Sequence, residues 1–462
     1  MAARLIDAAF ALIYLRLLGR TDVGAYTFLV VLTTYFDTLV DFGLNALLAR
    51  EIPRDTAIAR AALRRVSVLR LGLWLVGLPI ALAVYGPGRD LAGLTTEAAL
   101  AGAIFYLALL PTVLAKSASG VLWGLERLDL TSAVSILATI LKTALGALVL
   151  FAGLGLIGLA GTSLVVNVVT AVALLALLRL PRETHAAPRI RWLEQSWPLF
   201  LNQLLQGLFF KVDALLLPSL AGLSAAGAYG AAYRVSEGAG IVSSSFTLAL
   251  FPRLARTADL SAAFRLALRS LLQVGLPLAA GIALLSEPII AVVGGREYLP
   301  DSAVALSILI CYLPLSYANG LTQYVLIAAN RQRVLTLAFV AALAFNVVAN
   351  LALIPRFSYV GAAWVTVLSE VVLLVPFSLA ARRVAPSVSV LSEAAYPALA
   401  TLLMAPVVWW LRDGLGPVAA IVAGVLVYPT ALWAIGGIAP EQWRLLRDLV
   451  PRRAASALRL RP

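Results

Sequence analysis

The chain has 462 residues, 61% of them hydrophobic and only 13% charged, with a mean hydropathy of +0.94, far from the usage of soluble domains. One cysteine, Cys311, excludes an internal disulfide and a cysteine-built metal cluster. One histidine, His185, in a proline-flanked loop, excludes histidine metal sites and proton relays. The net charge of +13 comes from arginines lying between apolar runs, not from a basic patch with stacking aromatics, so it points to a membrane and away from nucleic acid.

A helix needs ~20 apolar residues to cross the hydrocarbon, and fourteen such runs follow one another. They lie near 2–18, 22–48, 66–85, 98–123, 131–152, 159–178, 197–220, 225–251, 266–293, 303–328, 334–354, 360–380, 395–411 and 417–437. The weak alternation of a membrane barrel is absent, so helices must satisfy the backbone. The first run has no small-residue cleavage site behind it and is expected to be a span, not a removable leader. Arginine sets the orientation: one set of joints carries 24, from Arg50 to Arg461, and the other only five, namely Arg20, Arg89, Arg296, Arg356 and Arg412. The richer set is expected in the cytoplasm, with both termini. The basic tail, 438–462, is expected to lie against the anionic cytoplasmic leaflet.

At an offset of 203, "GRTDVGAY" (19–26) falls on "GLSAAGAY" (222–229), and Ala46, Leu47 and Arg50 fall on Ala249, Leu250 and Arg253. The expected fold is therefore an all-α polytopic membrane protein of about 14 transmembrane helices, with two six-helix lobes as parallel repeats about an axis along the membrane normal. These are residues 1–196 and 197–394, followed by two further helices within 395–437.

Three stretches carry a resemblance: "LRLLGRTDVGAYTF" with "DFGLNALLAREI", then "KVDALLLPSLAGLSAAGAYGAAYRVSEG", and "NVVANLALIPRFSYVGAAWVTVLSEVVLL". With them the chain resembles the polysaccharide transporter, or O-antigen flippase, branch of the multidrug/oligosaccharidyl-lipid/polysaccharide exporter superfamily. The resemblance implies an inner-membrane exporter that moves a polyprenyl-diphosphate-linked oligosaccharide to the outer leaflet by alternating access, in lipopolysaccharide or related polysaccharide biosynthesis. It implies glycosyltransferases and a polysaccharide polymerase as partners, and H⁺ or Na⁺ as a coupling ion.

Charges at bilayer depth are the candidate site, since each costs roughly 2.5 to 3.5 kcal/mol even on a lenient scale. A diphosphate calls for charge-assisted donors, and the intramembrane cations are Arg16, Lys142, Lys211 and Arg234. Arg16 and Lys116 can also snorkel, and Arg234 can pair with Glu237. Lys211 and Asp213, two apart, face different sides of one helix and cannot satisfy each other. Asn202 and Gln206 lead down one face to Asp213. Asp37 and Asp41 share a face and could hold a proton or, with backbone oxygens, Na⁺. Alternatively, Asp41 in "DFG" pairs with an arginine and fixes a helix end. Glu370 is a further ion-coupling candidate. Pro79, Pro111, Pro277, Pro314 and Pro376 lie within spans and permit bends.

Two alternatives remain: a cation-coupled exporter of drugs or metabolites, and a non-transporting component of polysaccharide assembly. Mid-helix cations argue against the first. Against the second, there is no nucleophile elbow, no metal-ligand set and no "GxxxxGK[ST]" loop, so neither enzyme chemistry nor a cofactor is expected.

Overall fold

The computed structural model describes residues 2–180, 190–256, 259–438 and 442. His185 and the basic tail beyond 442 lie outside them. No strand occurs among the described residues. The helices are α1 (Ala2–Leu17), α2 (Arg20–Asp41), α3 (Leu44–Glu51), α4 (Ala59–Tyr85), α5 (Thr96–Leu107), α6 (Leu109–Gly124), α7 (Leu128–Phe151), α8 (Gly155–Leu177) and α9 (Trp192–Ala221). Then come α10 (Leu223–Arg256), α11 (Leu260–Leu284), α12 (Ser286–Val293), α13 (Asp301–Leu309), α14 (Tyr312–Ala328), α15 (Gln332–Ala381), α16 (Val390–Gly414) and α17 (Pro417–Ala434). Eleven helical stretches among the described residues are long and apolar enough to cross a membrane. One of them, Arg333–Ala381, is two helices meeting at Ser358, whose φ of 52° interrupts α15. The protein is an all-helical, multi-pass membrane protein.

Several spans are broken, and the breaks follow from the sequence. A proline gives no N–H to the carbonyl four residues back and crowds it. Pro111 stands four residues after Leu107, where α5 ends, and Pro314 four residues after Ile310, in the turn between α13 and α14. Between α2 and α3 no proline is needed, because Phe42 (φ 47°) and Gly43 (φ 73°) adopt left-handed conformations in succession. That turn brings Asp41, the last residue of α2, and Asn45, in the first turn of α3, to one point.

Arg70 of α4 occupies that point. Fully buried, its guanidinium donates to Asp41 Oδ1 at 2.7 Å, Asn45 Oδ1 at 3.0 Å and Ser117 Oγ of α6 at 2.9 Å. One side chain thus ties α2, α3, α4 and α6. The adjoining core of Leu44, Leu47, Leu48, Ile52, Val66, Val121 and Trp192 keeps water away.

Packing divides the chain into two compact units. The first comprises Met1–Val235, Ile290–Ala305 and Leu343–Thr366, and the second Ser236–Ile289, Leu306–Ala342 and Val367–Pro462. In the second unit, α16 and α17 pack on each other, and Met404, Val408 and Ala420 bury Leu285 at the end of α11.

Within the first unit, α2 and α10 cross with their backbones touching. A Cβ on Gly24 would lie 1.9 Å from the Leu223 carbonyl oxygen, and one on Gly227 would lie 1.9 Å from the Arg20 carbonyl oxygen. Only glycine permits this approach. The contact is reciprocal: residues 20 and 24 meet residues 223 and 227, the same two positions at the repeat offset of 203. A two-fold relation between repeats generates this kind of isologous contact.

Removing one partner of a buried pair strands the other charge and costs about 3 to 5 kcal/mol. Asp41→Ala should therefore lower the unfolding temperature in detergent sharply, and the double change Asp41→Ala with Arg70→Met should recover most of the loss. Equal losses in the two variants would show that Arg70 needs no carboxylate.

Candidate functional site

The first unit contains two polar hollows that meet at Thr112, Lys142 and Asn167. The larger, about 350 Å³, runs between α6, α7 and α8 and includes Asp7 of α1. The smaller, about 270 Å³, is lined by Tyr26, Thr33, Thr34 and Asp37 of α2 together with Ser163 of α8. The break at Pro111 supplies part of this junction. The Ala108 carbonyl, between α5 and α6, accepts from Asn167 Nδ2 at 2.9 Å and from Thr112 Oγ1 at 3.0 Å. Broken backbone at bilayer depth is tolerated where it lines such a cavity.

Helix α7 presents Thr131, Ser135, Thr139 and Lys142 to the larger hollow at spacings of four, four and three, one face of a helix. Lys142 lies within electrostatic reach of Asp7 and Arg234. Arg234 of α10 donates from Nε to the Tyr14 hydroxyl at 2.7 Å, its guanidinium over the same ring. Asp37 takes a hydrogen bond from Lys116 Nζ at 2.7 Å, and its Oδ1 is buried without a partner. Lys116 is matched by Asp37, and Lys142 lies within a group of charges that includes Asp7 and Arg234.

The other sequence candidates lie elsewhere. Arg16 donates to the Val292 carbonyl. Asn202 and Gln206 hydrogen-bond each other along exposed α9 at 3.2 Å. Lys211 stands over the Tyr233 ring at 5.8 Å. Asp37 and Asp41 are each matched to a separate cation, Lys116 and Arg70. Glu237 stands one turn after Arg234 on α10. In the second unit Glu370, 3% exposed, accepts from Asn319 Nδ2 at 2.7 Å, and Asn319 Oδ1 is buried without a partner.

Asp213 of α9, 2% exposed, sits in a cage of neutral donors. Tyr229 Oη of α10 and Thr366 Oγ1 of α15 both reach Oδ2, and the Ala214 amide reaches Oδ1. Nearby on α15, Asn346 donates to the Phe209 carbonyl one turn before Asp213, and Asn350 donates to Asn346 Oδ1 at 2.7 Å. Asn350 Oδ1 is buried without a partner. A carboxylate, hydroxyls and amide oxygens are the donor set of a hard cation, or of a carboxyl that holds a proton.

Arg20 organises a third cluster, at the end of the bundle that is expected outside. Its amide donates to Glu297 at 2.8 Å, its Nε to the Ser224 carbonyl at 2.9 Å and its Nη2 to Asp301 at 2.5 Å. Tyr359, just past the break at Ser358, donates to the other Asp301 oxygen at 2.7 Å. Beneath it Ser302, fully buried, donates to the Ala228 carbonyl beside Gly227.

Sequence reasoning passed over Arg70, Asp7, the α7 hydroxyl stripe, Asn346 with Asn350, and the Arg20–Asp301–Tyr359 network. The signals were present for some: Arg70 interrupts "VSVLRLGLW", Asp7 interrupts the first apolar run, and the hydroxyls repeat at helical spacing up to Lys142. Asp301 and Tyr359, in separate joints, carried none.

The family described as "Polysaccharide biosynthesis protein" matches residues 1–258, more than half of the chain. No curated protein matches it in sequence. Similar solved structures include a lipid II flippase, MurJ, in an inward closed conformation: 13% identical, TM-score 0.78, covering 97% of this chain and 98% of that one. An inward-facing multidrug resistance MATE family transporter of the MOP superfamily is 18% identical, with a TM-score of 0.64 over 83% of this chain and 95% of that one. A MOP superfamily transporter from Pyrococcus furiosus is also 18% identical, with a TM-score of 0.58 over 83% and 93%. At such identities the likeness is one of fold.

Arg20→Gln should loosen the third cluster. In a Cys311→Ala background, a cysteine introduced by Ser302→Cys should react slowly with an impermeant maleimide. Adding Arg20→Gln should speed that reaction by about tenfold, as loss of a charged hydrogen bond of about 1.5 kcal/mol implies. Unchanged labelling would mean that Arg20 does not hold this end together.

Proposed function

Because this chain belongs to the polysaccharide biosynthesis protein family, we propose that it is a flippase for a polyprenyl-diphosphate-linked oligosaccharide. It moves that lipid from the cytoplasmic to the outer leaflet of the inner membrane, with both termini in the cytoplasm, to supply a cell-surface polysaccharide such as O-antigen. Glycosyltransferases would make the substrate and a polymerase would consume it on the far side. The carrying observation is Lys142: an ammonium within an apolar span, where two polar hollows meet, with no hydrogen-bond or ion-pair partner among the described residues. A diphosphate answers that ammonium, because charge-assisted hydrogen bonds strengthen as the surrounding dielectric falls. An organic cation would meet repulsion there. The hydroxyls of α7 beside Lys142 suit a sugar, whose own hydroxyls both donate and accept.

Transport proceeds by alternating access. Release of the Arg20–Asp301–Tyr359 network and parting of α2 from α10 at Gly24 and Gly227 open the outer end; their closure returns the site to the cytoplasm. Asp213 is the coupling site, holding Na⁺ or a proton among Tyr229, Thr366 and the α15 asparagines, because a buried carboxylate with hydroxyl and amide oxygens beside it is the donor set of a hard cation or of a held proton.

In liposomes the protein should move a polyprenyl-diphosphate oligosaccharide between leaflets. Lys142→Ala should slow that movement about tenfold or more, in line with ~1.5 to 3 kcal/mol for a charged hydrogen bond, and Arg234→Gln should act in the same direction. No movement of several such lipids, together with efflux of a small organic cation, would favour the drug-exporter reading. In the same vesicles, Asp213→Asn should abolish the response to an imposed Na⁺ or pH gradient and spare movement down the lipid's own gradient. A retained response would remove Asp213 from coupling.

A further inference from the structure

The second unit holds an apolar slot of about 280 Å³ that none of the transport steps uses. Its wall comes from Phe264 of α11, from Val371, Leu374 and Val375 of α15, and from Val388, Val390 and Leu391 where the chain enters α16. The slot opens sideways: Val375, Leu379 and Leu391 are 55%, 58% and 82% exposed, whereas Phe264 and Val388 are buried. In a membrane, a sideways-facing apolar opening meets acyl chains.

One end of the slot is polar. Arg382 lines it, with the hydroxyls of Ser378 and Ser389, and Arg383 follows. Both arginines are exposed, and among the described residues neither guanidinium has an ion-pair or hydrogen-bond partner. This is the end of α15 that the arginine distribution assigns to the cytoplasm. The rim is anchored: Arg265 Nη2 of α11 donates to the Ser387 carbonyl at 2.9 Å, and its Nε lies 3.7 Å from Glu393 of α16. Arg265 is therefore engaged in holding the turn that forms the lip, which leaves Arg382 and Arg383 available to a ligand.

We propose that this slot binds an anionic phospholipid of the cytoplasmic leaflet, such as phosphatidylglycerol, with an acyl chain against Phe264 and Val375 and the phosphate at Arg382, Arg383 and the two serine hydroxyls. The charge argument decides the class of ligand. Two unpaired guanidiniums at headgroup depth attract a phosphodiester that carries net negative charge, and a zwitterionic headgroup meets them with its own cation. The site is separate from the Lys142 hollows and does not depend on what those hollows carry.

Full-length protein in nanodiscs containing phosphatidylglycerol with a photoreactive acyl chain should cross-link at Val375, Leu379 or Val388. The matching phosphatidylcholine probe should label these positions far less. Arg382→Gln and Arg383→Gln should each lower phosphatidylglycerol labelling roughly fivefold without changing phosphatidylcholine labelling, and Ser378→Trp, which fills the slot, should abolish labelling by both. Equal labelling by the two lipids, or labelling indifferent to the arginine variants, would overturn the proposal. So would labelling that polyprenyl phosphate competes away and unlabelled phosphatidylglycerol does not, because the slot would then belong to the transported lipid.

Discussion

A bilayer offers an ion no solvent, so every charge carried into it must find its counterpart on another helix. That requirement organises the first unit. Arg70 is enclosed by Asp41, Asn45 and Ser117, and four helices are fixed by one guanidinium. Lys116 meets Asp37, and Arg234 meets Tyr14. Where matching is complete the group is a rivet. Lys142 has no such match among the described residues, and it stands where the two hollows meet.

Interrupted helices make this matching possible. A continuous helix spends its carbonyls on itself, whereas the breaks before Pro111, at Phe42–Gly43 and at Ser358 turn backbone or adjoining side chains toward neighbours. Ala108 gives its carbonyl to Asn167, the α2–α3 turn brings Asp41 and Asn45 onto Arg70, and the break in α15 precedes the Tyr359 contact with Asp301. Each of these three interruptions lies at one of the polar clusters.

Much of this could be read from the chain. Apolar length identified the helices, proline spacing located bends at Pro111 and Pro314, and its charge within an apolar run drew attention to Lys142. The offset between "GRTDVGAY" and "GLSAAGAY" picked out two segments that prove to touch. Partners were harder to read. Asp37 and Asp41 share a helix face in sequence, yet one faces Lys116 and the other Arg70, because the turn after Asp41 and the rotation of α4 and α6 decide who meets whom. Tyr359 and Asp301 come from joints 58 residues apart, and no local pattern reports that they converge. Helix formation is written locally, whereas helix rotation is settled by packing across the whole bundle.

The crossing of Gly24 and Gly227 bears on how such a chain could have arisen. Each glycine lies against the other's helix through corresponding atoms, so a chain of half the length, meeting a second copy of itself, would form the same contact from one glycine used twice. The single polypeptide reproduces at this point the interface of a symmetric dimer. The surrounding positions differ: Arg20 engages Asp301, whereas the residue that corresponds to it by the offset is the apolar Leu223. At the glycines the two segments make the same contact, and in the charges around it they differ.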